Sequence, residues 1–160
     1  MADLDQLLEA GRRHAETGVP LPTTVPPTER LAILTCMDVR IDPLAIFGLR
    51  LGQAHLLRNA GARVTEDALR SLALSTNLMA VDTVLLLAHT GCGLFGVTDE
   101  ELRRRTGAPF DFLAIDDHRD ALRHDVERLI GTDYLPLRTV AGLLYDVDTR
   151  QVTLVERRDR

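Results

Sequence analysis

Leu31-Ala32-Ile33-Leu34 and Val84-Leu85-Leu86-Leu87-Ala88 are runs without a polar face. A strand made from such a run must be covered on both sides, the situation of a parallel strand inside an α/β sheet rather than of a half-solvated antiparallel one. Residues 54–58 read as a further strand. The connecting segments carry helical signals instead. Asp42-Pro43 supplies an N-cap and first-turn proline for a short helix to about Phe47. Leu69, Leu72, Ala73, Thr76, Met79 and Ala80 recur at helical spacing over 65–80. Thr98-Asp99-Glu100-Glu101 has the form of a capping box, and Leu122, Val126, Leu129 and Ile130 mark a helix ending near Gly131. Residues 139–147 and 151–155 look like two strands joined at Asp148-Thr149-Arg150, too close together to be parallel. The expected fold class is α/β, a mainly parallel four-stranded sheet plus a C-terminal antiparallel edge strand, with right-handed crossovers and helices on both faces.

Residues 1–28 stand apart from this pattern. Leu4, Leu7 and Leu8 put a narrow apolar stripe on a short helix, and Pro20, Pro22, Pro26 and Pro27 keep the following linker extended. So small a helix does not stabilise itself, so it is expected to dock on its own domain or on a second subunit. The division is therefore an N-terminal helical arm with its linker, 1–28, and one α/β domain, 29–160.

Composition removes several functions. The 160 residues carry 24 acidic and 19 basic side chains, a net charge of −5 that offers nothing to nucleic acid or anionic lipid, so neither a nucleic acid nor a membrane is an expected partner. Every basic residue is Arg, which excludes Schiff-base lysine chemistry and a P-loop lysine. The two serines, Ser71 and Ser75, lie in a helical stretch and not in a nucleophile turn. The acidic start of the chain lacks the pattern of a secretory signal, so a cytoplasmic location is expected.

The remaining chemistry gathers at strand ends. Cys36 follows the first apolar run, and His89 and Cys92 follow the one at 84–88. Taken singly, each cysteine reads as a small buried hydrophobe, and the two as a possible disulfide. Sites in open α/β sheets lie beyond the carboxyl ends of strands, however, so the three side chains converge if those two strands are neighbours. Two thiolates and one imidazole with a fourth position open suit a catalytic zinc, one per chain, whereas a closed structural site requires four protein ligands. Asp38 and Arg40 share the loop after Cys36. Asp38 either pairs with Arg40, leaving a metal open to water, or ligates the metal and closes it.

These pieces, Cys36-Met37-Asp38-Val39-Arg40, Arg58-Asn59-Ala60-Gly61 and His89-Thr90-Gly91-Cys92-Gly93, resemble the β-class carbonic anhydrases, and most of all their short prokaryotic members. The ending Gly142-Leu143-Leu144-Tyr145-Asp146-Val147-Asp148-Thr149 fits as well, so the resemblance covers roughly 29–155. It implies a zinc lyase in which Cys36, His89 and Cys92 hold the metal and the Asp38–Arg40 dyad orients or deprotonates the water. The implied reaction is reversible hydration of carbon dioxide to bicarbonate and a proton. Two thiolates neutralise the ion's charge, so the water should be less acidic than on a three-histidine zinc. A homodimer or dimer of dimers, with the arm wrapping a partner, is implied too. Val39 stands where a small residue is common, Gly91 where some members have Asp, and Arg150 where the hairpin usually has Gly. The chain has no Trp, which counts against the regulatory bicarbonate pocket of some bacterial members.

Two other readings share the scaffold. One is hydrolysis of carbonyl sulfide or carbon disulfide, and the other a non-catalytic zinc protein closed by Asp38. Gly91-Cys92-Gly93-Leu94-Phe95-Gly96 matches a dinucleotide fingerprint but follows the wrong strand, and its glycines read more simply as a tight ligand loop. His55 reads as a strand-face residue, His14 as part of the arm, and Arg103-Arg104-Arg105, His118 and His124 as solvated helix surface.

Overall fold

The computed structural model describes residues 2–18 and 20–160. Its strands are β1 (Leu31–Cys36), β2 (Ala54–Asn59), β3 (Thr83–His89), β4 (Thr139–Tyr145) and β5 (Val152–Asp159), in the sheet order β2-β1-β3-β4-β5. The first four run parallel, and β5 is an antiparallel edge strand on β4, as expected. The helices are α1 (Leu4–Thr17), α2 (Pro43–Phe47), α3 (Glu66–Leu78), α4 (Asp99–Thr106) and α5 (His118–Ile130).

Strand alternation sorts the apolar runs between two faces. Ala32, Leu34, Val84, Leu86 and Val140 pack against Leu69 and Leu72 of α3 and Leu122, Val126 and Leu129 of α5. Ile33 and Leu87 turn to the other face, where Ile41 and the α2 residues Ile46 and Phe47 cover them. Each fully buried side chain such as Leu72, Leu86 or Val126 contributes about 1.5–3 kcal/mol relative to exposure. Helix α5 lies so close to β4 that a Cβ on Gly142 would sit 3.1 Å from Val126 and 3.3 Å from Leu122.

Local capping follows the sequence. Asp42 accepts from the Leu44 and Ala45 amides, Thr65 from Ala68, and Asp117 from Arg119 and Asp120. Thr98 caps α4 through the Glu101 amide, but the Glu101 carboxylate pairs forward with Arg105. The last hairpin differs in its bounds from the apolar pattern. Strand β4 stops at Tyr145 because the Asp146 carboxylate takes the amides of Asp148 (3.0 Å) and Thr149 (2.8 Å), turning the chain early. Strand β5 runs past Val155 through polar residues, which an edge strand tolerates.

No residue of α1 is buried, and Leu4, Leu7 and Leu8 are exposed. Thr28 and Glu29 donate to the carbonyls of Gly52 and Gln53, anchoring the end of the linker beside β2. Among the described residues, no helix is long and apolar enough to cross a membrane.

Candidate metal centre

Strand β1 has β2 on one side and β3 on the other, so the sheet changes its direction of growth at β1 and a crevice opens beyond the carboxyl ends of β1 and β3. Cys36 ends β1, His89 ends β3, and Cys92 follows three residues later. The adjacency on which their convergence depends is present. Their ligand atoms all lie within 4.8 Å of one another, and all three residues are buried. Both cysteines are free, so the disulfide reading fails.

The loop after β3 is tied down on two sides. The Thr90 amide donates to Tyr145 O (2.9 Å) and Thr90 Oγ1 accepts from Val147 N (3.1 Å), while Ile115 N donates to Leu94 O (2.9 Å) and Gly96 N to Ile115 O (3.0 Å). The glycines let this loop turn tightly: Gly91 and Gly96 take positive φ.

His89 Nδ1 faces Thr90 O at 2.9 Å, which selects the Nδ1–H tautomer and leaves Nε2 with its lone pair free. That Nε2 is buried and has no hydrogen-bond partner among the described residues. A buried, unpaired imidazole nitrogen between two thiols suits a borderline-soft metal ion, so the donor set fits zinc. The nearness of the Cys92 thiol, opposed by burial and helped by the nearness of His89, pulls the Cys36 thiol far below its usual range, and the same Cys36–Cys92 contact pushes Cys92 up. Burial pulls His89 down, but the nearness of the Cys36 sulfur and the bond to the Thr90 carbonyl outweigh that and raise it.

Asp38 is paired with Arg40. Arg40 Nε and the Arg40 amide donate to Asp38 Oδ1 (both 2.9 Å), and Arg40 Nη2 donates to Asp38 Oδ2 (2.7 Å). Nη2 also donates to Gly91 O at 3.0 Å, which ties the β1 loop to the ligand loop. The guanidinium holds the Asp38 carboxyl well below the usual carboxylate range. Asp38 Oδ2 nevertheless lies 3.8 Å from His89 Nε2, so the carboxylate borders the position a metal would take.

Around these groups is a cavity of about 480 Å³ walled by Met37, Val39, Ala60, Gly61 and Leu94. Gly61 has φ +75°, and a Cβ there would meet Leu94 Cδ1 at 2.9 Å, so this wall demands glycine. Val39, 98% exposed, stands at the mouth without disturbing the dyad. Arg58 belongs to the motif quoted above, but its work shows only here: Nε donates to Cys36 O (3.0 Å) and Nη2 to Asp38 O (2.7 Å). It reaches them because β2 lies parallel to β1 with Asn59 opposite Cys36.

Most of the remaining candidates stay structural. His55 Nδ1 pairs with Ser75 Oγ at 2.9 Å, His124 is exposed, and Arg103, Arg104 and Arg105 pair with Asp111 and Glu101 at the surface. His118 is not solvated surface. Its ring stacks on Phe95 and its Nδ1 is buried.

The carbonic anhydrase family model matches residues 31–130. Beta-carbonic anhydrase 1 of Mycobacterium tuberculosis is 35% identical over 144 residues, which span 84% of this chain and 86% of that protein. The chain belongs to the β-carbonic anhydrase family. The crystal structure of carbonic anhydrase from Streptococcus mutans superposes with a TM-score of 0.85 at 34% identity, covering 98% of this chain and 99% of that one. A carbon disulfide hydrolase of Saccharolobus solfataricus is 41% identical over 80 residues, half of this chain and 39% of that protein. β-Carbonic anhydrases are zinc enzymes, and Cys36, His89 and Cys92 form a group able to hold a metal.

Proposed function

We propose that this β-carbonic anhydrase family member catalyses the reversible hydration of carbon dioxide to bicarbonate and a proton, with one zinc ion held by Cys36, His89 and Cys92. The observation that carries the reading is the Asp38–Arg40 pair. Both carboxylate oxygens are engaged by the guanidinium beside the three ligand atoms, an arrangement that supports an open metal position over one closed by Asp38. When bound, zinc makes hydroxide available near neutral pH and stabilises charge developing on the substrate. Asp38, ionised through its contact with Arg40, accepts a hydrogen bond from the reacting water and orients it. Arg40 keeps Asp38 turned toward the cavity, and its second bond to Gly91 O keeps the two loops in register. Met37, Ala60, Gly61 and Leu94 present an apolar wall that accommodates a small non-polar substrate and limits bulk water.

The second reading is hydrolysis of carbon disulfide or carbonyl sulfide, supported by the carbon disulfide hydrolase relative and by the same attack on a linear heterocumulene. Stopped-flow hydration of carbon dioxide from about pH 6.5 to 9 tests both, on protein of measured zinc content against a chelator-stripped control. A zinc-dependent rate that rises with pH is expected. No rate above the control with zinc bound sinks carbon dioxide as substrate; turnover of carbon disulfide then selects the second reading, and none selects a metal closed by Asp38.

The exposed Leu4, Leu7 and Leu8 stripe supports a homodimer, or a dimer of dimers, in which α1 covers a partner. Sedimentation of the whole chain and of 29–160 tests this. An unchanged dimer after truncation removes the arm's role.

A further inference from the structure

Cys92 sits in a loop with glycine at 91, 93 and 96, three residues with high backbone freedom. Such a loop holds a ligand in place only if something outside it fixes its path. Residues 92–96 and 115–118 lie side by side. The Ile115 amide donates to Leu94 O, Gly96 N donates to Ile115 O, and three residues after Ile115 the His118 ring stacks on Phe95, with centroids 4.7 Å apart and an interplanar angle of 13°. Phe95 N in turn donates to Cys92 O at 3.0 Å, so the stacked ring and the ligand are joined by one hydrogen-bonded turn.

His118 is enclosed rather than hydrogen-bonded: its Nδ1 has no partner among the described residues. It is the first residue of α5, and with Gly61, Ala88, Arg63 and Asp125 it lines a gap of about 10 Å³. Gly61 also walls the metal cavity, so the imidazole stands directly behind that wall. Burial, then the nearness of His89, pushes the His118 imidazole below its usual value, so at neutral pH it stacks as a neutral ring.

We propose that His118 is a positioning residue for the metal-ligand loop: its ring is the seat of Phe95, and through Phe95 it holds Cys92 in register with Cys36 and His89. It touches no reacting atom. The inference rests on the zinc reading above. Its test is the rate of zinc release from the holoprotein to an excess of chromogenic chelator at neutral pH. Supporting partners of metal ligands typically change metal affinity about 10- to 100-fold, so His118→Ala should release zinc about tenfold faster or more. His118→Phe keeps an aromatic seat and should release at the wild-type rate.

Phe95→Leu removes the other half of the stack from a side chain that is 48% exposed, and should also release about tenfold faster even if His118→Ala does not fold. A His118→Ala protein that melts lower yet releases zinc at the wild-type rate overturns the proposal. So does a His118→Phe protein that releases as fast as His118→Ala, or a Phe95→Leu protein that releases no faster than wild type. A wild-type chain that takes up no zinc fails earlier, by removing the metal reading itself.

Discussion

Two arginine–carboxylate pairs, Arg63–Asp125 and Arg40–Asp38, make an instructive contrast. Arg63 and Asp125 are 9% and 3% exposed, and they join segments 62 residues apart. Arg40 and Asp38 are 49% and 18% exposed and two residues apart. The chemistry is the same, but the buried pair is architectural: Asp125 also accepts the Val64 amide, and Arg63 also donates to Leu113 O, so α5, the turn and the 113–115 segment meet there. The open pair faces the cavity beside a metal-binding group. Burial, not residue type, separates the pair that ties the fold together from the pair that stays open to the cavity.

The contrast is most severely tested by Asp125→Ala, which leaves a guanidinium buried without its partner. It should lower the stability to urea unfolding by about 3–5 kcal/mol, and replacing both partners with apolar residues, Arg63→Met with Asp125→Leu, should recover part of that, since the Val64 amide and Leu113 O then lose their side-chain partners. A loss under about 1 kcal/mol for the single variant would place Arg63–Asp125 with surface pairs and dissolve the distinction. Next comes Asp38→Ala. Its urea midpoint should stay close to that of the parent chain while kcat/KM for carbon dioxide falls about 100-fold or more, the scale of a positioned acid–base group. An equal fall in stability would make Asp38–Arg40 architectural too.

The smallest effect is one of acid stability. Arg40 holds the folded Asp38 carboxyl below its ordinary 3.8, so on acidification the unfolded chain takes up this proton first. The stabilisation is fully present above 3.8 and is lost as pH falls through the folded value. In metal-stripped protein, the urea midpoints of the parent and Asp38→Asn should therefore draw together as pH drops below 3.8. A constant offset from neutral to strongly acidic pH would show that the pair gives no such stabilisation.

Much of this was legible before any coordinates, for local reasons. Strands β1 and β3 are apolar on both faces because both faces are covered, and α2 and α3 announce themselves through Asp42-Pro43 and through the helical spacing of Leu69, Leu72 and Thr76. Edge strand β5 was legible only in part, since its outer half is polar and held by pairing with β4 rather than by burial. His118 was misread because its neighbours Asp116, Asp117, Arg119 and Asp120 are exposed and charged, while the ring that receives it, Phe95, lies 23 positions earlier in the chain.

Short-range pattern was enough to read the strand and helix alternation and to single out Cys36, His89, Cys92 and Asp38 at strand ends, because these depend on side-chain type and spacing within a few residues. Packing settled the rest. The neighbours of β1 bring Cys36, His89 and Cys92 together, Arg40 bonds both Asp38 and Gly91 O, Arg58 bonds the carbonyls of Cys36 and Asp38, and His118 stacks on Phe95. Each of these needs two segments far apart in the chain to meet, and it is burial of the shared core, a property of the whole chain, that brings them into contact.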